Sequence, residues 1–265
     1  MTTPASIRSP AVAGLFYDDD PVALRHVITT LLAGNPATGA APRAVIAPHA
    51  GYVYSGPVAA RAYNRVASNA ETIDRVVILG PAHRVALEGI ALPTVEYFRT
   101  PLGDIPIDRE LVTKLRNMSE VCISDLAHRE EHSIEVQLPF LQTVLGEFTL
   151  VPLVVGVCSP SSVAALLEQV WDTPNSLIVI SSDLSHYHSY RMAQELDENT
   201  AHRIEALDTP IDGNEACGAY PLNGLLQLAR QRDLHPQRLD LRNSGDTAGP
   251  KGRVVGYGAW ALCDA

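Results

Sequence analysis

Val76-Val-Ile-Leu-Gly-Pro-Ala-His83-Arg84 is the stretch that decides the fold. Its apolar run is continuous rather than alternating and is cut off by Gly80-Pro81. It therefore reads as a short strand buried on both faces, the kind found inside parallel sheets. Two other stretches repeat the pattern: Ala44-Val-Ile-Ala-Pro-His49-Ala-Gly51-Tyr52 and Leu177-Ile-Val-Ile-Ser-Ser-Asp183-Leu-Ser-His186-Tyr-His188. All three runs lead into histidine. Ligands in open α/β sheets gather outside the carboxyl ends of the strands. Imidazoles delivered there by three strands can converge on one point, and a metal is the usual reason for such convergence.

Working outward, Asp20-Pro21 supplies a helix cap and a first-turn proline. The helix it opens should run through Leu24, Val27, Ile28 and Leu31 and stop near Gly34, with a flexible stretch from there to Pro42. Residues 8–20 read as a packed lead-in and 100–104 as a turn. Further helices are expected over 57–67, from about 108, and over 132–145, 160–170, 189–207 and 221–232. Pro139 should kink the 132–145 helix or mark a late start. Strands are expected at 75–79, 149–156, 176–181 and 253–262, with a shorter one at 87–92. This alternation predicts an α/β fold: a single domain over residues 1–265 with a mostly parallel, twisted sheet flanked by helices.

The composition narrows the function. A chain of 265 residues with 46% hydrophobic content can bury a sizeable core. Thirty acidic against 20 basic residues, a net charge of −10, argue against nucleic acid or an anionic membrane surface as the main partner. The four cysteines, Cys122, Cys158, Cys217 and Cys263, are scattered without a Cys-x-x-Cys, which disfavours a disulfide scaffold or zinc knuckle. No apolar run has the length of a membrane span. The stretch Met1-Thr-Thr-Pro-Ala-Ser-Ile-Arg8 lacks the features of a signal peptide, so a cytoplasmic location is expected. There is no G-x-S-x-G, P-loop or G-x-G-x-x-G in a suitable context.

His49, His83 and Cys217 all lie next to glycine or proline at expected strand or turn ends. Two imidazoles and a thiolate would make a three-ligand site with an open position, the pattern of a catalytic metal. Thiolate biases such a site toward zinc or copper(I), with iron(II) also compatible. Asp183 and His186 are three apart and would share a face if that segment opens a helix. The carboxylate could then orient the imidazole, making His186 a general acid/base. His132 and Glu135, preceded by Glu130-Glu131, could add an acid/base group or an outer-shell partner. The bland alternative for those glutamates is a solvated helix N-terminus. His26, His128, His202 and His235 are assigned to surface or packing roles.

Seven motifs occur in order: Arg8-Ser-Pro-Ala-Val-Ala-Gly-Leu-Phe-Tyr17, Ala47-Pro-His-Ala-Gly-Tyr-Val-Tyr-Ser-Gly-Pro57, Gly80-Pro-Ala-His83, Thr100-Pro-Leu-Gly-Asp104, Glu131-His-Ser-Ile-Glu135, Ser181-Ser-Asp-Leu-Ser-His-Tyr187 and Cys217-Gly218. From about residue 8 to 262 the chain resembles the Memo family, whose bacterial and archaeal members are called AmmeMemoRadiSam system protein B. The resemblance implies an architecture similar to class III extradiol dioxygenases, non-haem iron enzymes that open catechol rings. It also implies a metal site at His49, His83 and Cys217, with Asp183, His186 and His132 in or beside the same pocket. Those dioxygenases use two histidines and a glutamate. Here Cys217 takes the glutamate position, a departure from the ring-cleaving donor set. Ala219-Tyr220-Pro221 also departs from the aromatic-rich version of eukaryotic members.

Two functions follow as expectations. One is a metal-dependent oxidoreductase of dioxygenase-like type, using iron(II) or copper(I), with zinc as an alternative, and His186, Asp183 and His132 handling protons. The other is a non-enzymatic protein that handles metal or binds a small molecule, a peptide or a partner. A functional link to a radical-SAM protein is implied by the resemblance.

Overall fold

The three apolar runs become neighbouring parallel strands at the centre of one sheet. The computed structural model describes residues 5–34 and 39–263, so residues 35–38 of the expected flexible stretch lie outside the described residues. In chain order the strands are β1 (Ile7–Arg8), β2 (Ala44–Ala47), β3 (Arg75–Pro81), β4 (Ile90–Leu92), β5 (Tyr97–Thr100), β6 (Gly103–Pro106), β7 (Val121–Ile123), β8 (Thr149–Val155), β9 (Ser176–Ser181), β10 (His186–His188), β11 (Gln237–Asn243) and β12 (Val254–Leu262). The helices are α1 (Pro21–Ala33), α2 (Tyr52–Ala67), α3 (Arg109–Leu115), α4 (Asp125–Arg129), α5 (Leu138–Leu145), α6 (Pro160–Trp171), α7 (Tyr190–Glu205) and α8 (Ala219–Gln231).

The main sheet has the order β10-β12-β2-β9-β3-β8-β4-β7, with β11 also paired to β12. Its four central strands, β2, β9, β3 and β8, are parallel. The margins are not: β12 runs antiparallel to β2, β10 and β11 antiparallel to β12, and β4 antiparallel to β8. The sheet is thus mixed around a parallel centre. Side chains alternate between its faces. Val77, Leu79 and Ile46 join one core with α6, α7 and α8, while Val76, Ile78 and Val45 join the other with α1, α2 and α5.

Asp20 caps α1 by accepting from the amides of Val22 and Ala23, and Leu24 and Ile28 are fully buried beneath it. Elsewhere the boundaries differ from expectation for local reasons. Helix α2 begins at Tyr52 rather than at residue 57, with Pro57 inside it. A proline there removes only the amide that would meet the carbonyl of Val53, an exposed residue. The expected 132–145 helix is instead a one-turn 3₁₀ segment, Glu135–Gln137, followed by α5, with Pro139 in its first turn. His132 is therefore not on a helix.

Strand β11 escaped the sequence reading because Arg238, Asp240 and Arg242 interrupt its apolar pattern. In the fold Arg238 pairs with Glu198 and Glu205 of α7, and Arg242 with Asp240. The 100–104 turn closes a hairpin of β5 and β6, which joins β1 in a small separate sheet.

Candidate metal centre

The sheet order places β2, β9 and β3 side by side, so the residues just beyond their carboxyl ends, His49, Asp183 and His83, meet above the sheet. They line a cavity of about 700 Å³ together with His132, His186 and Cys217. All six residues singled out in the sequence share this one space. The tightest group is His49, His83 and His132, each offering a ring nitrogen such that the three lie within 4.8 Å of one another. Cys217 adjoins from the side of His49, its Sγ 3.4 Å from Nε2.

Hydrogen bonding fixes which nitrogen of His49 carries the hydrogen. Ser181 Oγ donates its only hydrogen to the Ser133 carbonyl (2.6 Å) and accepts from Gln137 Nε2 (2.8 Å). His49 Nδ1, 2.9 Å from that oxygen, must therefore carry the hydrogen. Nε2 keeps its lone pair toward the cavity. His83 is set in the same way, because Nδ1 donates to Glu131 Oε1 at 2.9 Å and a carboxylate can only accept.

Glu131 is the organising acid of the site. Its two oxygens also accept from the amides of His83 (2.6 Å), His132 (2.8 Å) and Ser133 (2.9 Å). Burial would raise its pKa, but the hydrogen bonds from His83 and Ser133 win and hold it at about 2. The solvated helix N-terminus is corrected here: Glu131 is 2% exposed and follows the carboxyl end of α4. His132 Nδ1 lies 3.3 Å from Glu131 Oε1, but without hydrogen-bond geometry, and this buried nitrogen has no partner. Such an orphaned donor atom beside two oriented imidazoles is what a metal-binding site requires. Burial, reinforced by the neighbouring cationic forms, lowers the pKa of His49 well below its ordinary value, and burial brings His132 to about 4. Both rings are neutral at physiological pH, the state that coordinates. Three imidazoles suit zinc, copper, iron or nickel, and the donor set fits a transition-metal ion.

Asp183 and His186 depart from the expected pairing. The segment opens no helix; His186 begins β10, paired opposite Val255 of β12. The Asp183 carboxylate instead accepts from the backbone amide of His49 at 2.8 Å. Burial pushes its pKa up to about 7, against the hydrogen bonds of His49 and Ala50. His186 is lowered by burial. Cys217 is anchored by its amide on the Asp183 carbonyl at 3.2 Å, and burial pushes its thiol pKa well up. Gly218 permits this approach, because a Cβ there would lie 2.8 Å from the Ser181 carbonyl oxygen. A Cβ on Gly80 would likewise meet Ser133 Oγ at 2.4 Å.

The lead-in segment closes one wall. Glu135, fully buried, pairs with Arg8 and accepts from the amides of Ala11 (2.8 Å) and Val12 (3.0 Å) and from Tyr17. Arg8 also donates to the carbonyls of His128 (3.0 Å) and Glu131 (2.6 Å). This network holds Phe16 edge-on against His132, ring centroids 4.9 Å apart.

The model of the Memo-like protein family matches residues 8–261. The chain belongs to the Memo family. This Memo-family chain is 36% identical to a MEMO1 family protein of Sulfolobus acidocaldarius, over 95% of its own length and 97% of the relative's. It is 38% identical to one from Methanopyrus kandleri at the same coverage. A solved structure of an uncharacterized protein, JW3007 from Escherichia coli K12, aligns with a TM-score of 0.45 and 13% identity over 82% of this chain and 98% of that one.

Sequence reasoning named His49, His83, His132, Asp183, His186 and Cys217 and gave the 130–135 cluster an outer-shell option. It missed Ser181 and Gln137, which orient His49. Ser181 stood in a quoted motif, but nothing in residue type distinguished it from an ordinary strand-end serine. No helix among the described residues is long and apolar enough to cross a membrane.

Proposed function

We propose that this chain is a metal-dependent enzyme of oxidoreductase type, with its ion held by His49, His83 and His132 and the Cys217 thiol as a further donor. The observation that carries the reading is the imidazole cluster itself, with ring nitrogens within 4.8 Å of one another at an open cavity. Iron(II), copper or zinc suits these donors, and the neighbouring sulfur favours copper(I) among them. A bound ion supplies Lewis acidity and, for iron or copper, electrons. The protein's own part is orientation and proton handling. Ser181 and Glu131 hold two imidazoles in their coordinating tautomers, while Phe16 packs on the third. Asp183, with a pKa near 7, can give or accept a proton at the cavity wall, and His186 offers a second neutral base.

A second reading, metal handling without turnover, is favoured by one observation. The thiol stands 3.4 Å from His49 Nε2, and sulfur paired with imidazole suits copper(I) transfer.

The test is elemental analysis of protein purified without added metal and after reconstitution with iron(II), copper(I) and zinc. Wild type and His186→Ala should carry metal, whereas His49→Ala and His132→Ala should lose most of it. Wild type that takes up none, or equal loss in all three variants at matched folding, would overturn the site. An aerobic screen with catechols then separates the readings: oxygen consumption supports the enzyme, and copper transfer without turnover supports the carrier.

A further inference from the structure

The four cysteines sit in different surroundings. Cys158 is buried, and burial together with the nearby Glu120 raises its pKa; burial also pushes up the Cys217 thiol. Cys122 is exposed on the edge strand β7, and its sulfur has no hydrogen-bond partner among the described residues. Cys263 is half-buried just beyond the end of β12. Strand β12 runs antiparallel to β2, with Leu262 opposite Ala44. This thiol therefore lies at the amino ends of the central strands, the edge of the sheet away from His49 and His83.

Arg65 sets Cys263 apart. Two arginines are buried among the described residues, Arg8 at 6% exposed and Arg65 at 4%. Arg8 has the carboxylate of Glu135. Arg65, on α2, pairs with no carboxylate among the described residues. Its Nη1 donates to Gln237 Oε1 at 3.0 Å, and its Nη2 to the Ala40 carbonyl at 2.7 Å and to Cys263 Sγ at 3.7 Å. The buried Nε has no partner at all. A buried charge is costly unless an opposite charge and full hydrogen bonding compensate it. Of the groups that Arg65 touches through these bonds, only the Cys263 sulfur can become an anion. A cavity of about 230 Å³ opens beside the pair, its wall including Ala40, Arg65, His235 and Cys263. That is room for the small group that a reaction at sulfur would add. Asp233, the acid on the same wall, faces His235 at 3.8 Å.

We propose that Cys263 is a thiol–disulfide exchange site, with Arg65 as the counter-charge for its sulfur and a low-molecular-weight disulfide as the reagent. Cys263 Sγ gives up the proton that it now donates to the Ala40 carbonyl, 3.4 Å away, and attacks one sulfur of the disulfide. A new S–S bond forms to Cys263, the old one breaks, and the other half departs as a thiolate that takes up the proton. Cys263 is oxidised and the reagent reduced by the same two electrons. A partly exposed thiol beside an arginine is the setting in which cysteines react, because the attacking sulfur must carry negative charge. The site stands at the opposite edge of the sheet from the proposed metal centre and does not depend on it.

Treatment of the reduced full chain with hydroxyethyl disulfide tests this, with adduct formation followed at each cysteine by peptide mass analysis near neutral pH. The probe is neutral, so Arg65 acts on the thiol and not on the reagent. Cys263 should react at least about tenfold faster than Cys122, the exposed thiol without a partner. Arg65→Gln should slow Cys263 about three- to tenfold and leave Cys122 unchanged; the factor stays modest because a better-stabilised thiolate is also a weaker nucleophile. Arg65→Lys, which keeps the charge, should restore most of the rate. A packing role alone for Arg65 predicts the opposite pattern, since a loosened fold would speed the reaction at Cys263 and open buried Cys158 to the reagent. Equal rates at Cys122 and Cys263 in the wild type, or a Cys263 rate that Arg65→Gln leaves unchanged or raises, overturns the proposal. Where neither Arg65 variant folds, the wild-type ranking of Cys263 against Cys122 decides it alone.

Discussion

Replacing Glu131 by Gln should cost both stability and metal affinity, and the structure sets the size of each loss. Its carboxylate is held at about 2 against an ordinary 4.5, which corresponds to about 3 kcal/mol at ~1.36 kcal/mol per pH unit. The sign follows from proton binding. An acid with a depressed folded pKa binds fewer protons folded than unfolded, so its contribution is present above about 4.5 and is lost as pH falls through about 2. The amide of the variant would turn a donor toward either the His83 amide or the Glu131-directed Nδ1 of its ring, leaving two donors opposed. In chelated protein at pH 7, Tm should drop by about 6–12 °C, at ~2–4 °C per kcal/mol for a chain of this size. The gap to wild type should narrow between pH 4.5 and the lowest pH at which the fold persists. Metal affinity, by competition with a chromophoric chelator at a temperature where both proteins are folded, should weaken about 10–100-fold through loss of the His83 partner. A Tm change below about 2 °C that does not vary with pH would refute the account of Glu131 as the charged organiser of the site.

Three further outcomes are expected. Cys217→Glu should shift metal preference from copper(I) toward iron(II), because carboxylate oxygen is a harder donor than sulfur; unchanged preference in parallel titrations would show that the imidazoles set it without Cys217. Arg8→Ala leaves Glu135 buried without its counter-charge and should destabilise by about 3–5 kcal/mol, read from the denaturant midpoint, and a shift under about 1 kcal/mol would show the pair to be expendable. Burial raises Asp197 from 3.8 to about 6, so its favourable contribution is complete below about 4 and vanishes as pH rises through 6; Asp197→Asn should therefore gain up to about 3 kcal/mol at pH 7 and progressively less toward pH 4, and a gain independent of pH would count against an ionised Asp197.

The parallel centre of the sheet was legible because its strands are buried on both faces and their interiors carry continuous apolar runs. Val76 to Leu79, Val45 and Ile46, and Leu177 to Ile180 all fall in the core. The margins were not legible for the opposite reason. In β11, Arg238 and Asp240 look like loop residues until α7 and α2 supply their partners, Glu198, Glu205 and Arg61. His186 and His188 form a strand that pairs with β12 across a register irregularity, and no local pattern in Ser-His-Tyr-His announces such a pairing.

The site divides along the same line. Residues that must reach a common point from separate strands leave a trace in sequence, because strand ends are readable and histidine is rare enough there to stand out. Residues that act through a neighbour leave a fainter one. Glu131 differs from Glu130 only in where the chain turns after α4: one is 2% exposed and gathers four hydrogen bonds, while its neighbour faces solvent. His132 illustrates the cost of reading a helix where none forms. Placed at a helix start it read as an acid/base group or outer-shell partner beside the pocket. The short 3₁₀ turn and the late start forced by Pro139 instead leave it in a loop pinned by Glu131, its ring centroid 4.8 Å from that of His83. The third imidazole of the cluster is therefore set by backbone geometry at Pro139 and by the Arg8–Glu135 pair that holds Phe16 against it, both remote from any metal-ligand spacing that a sequence could display.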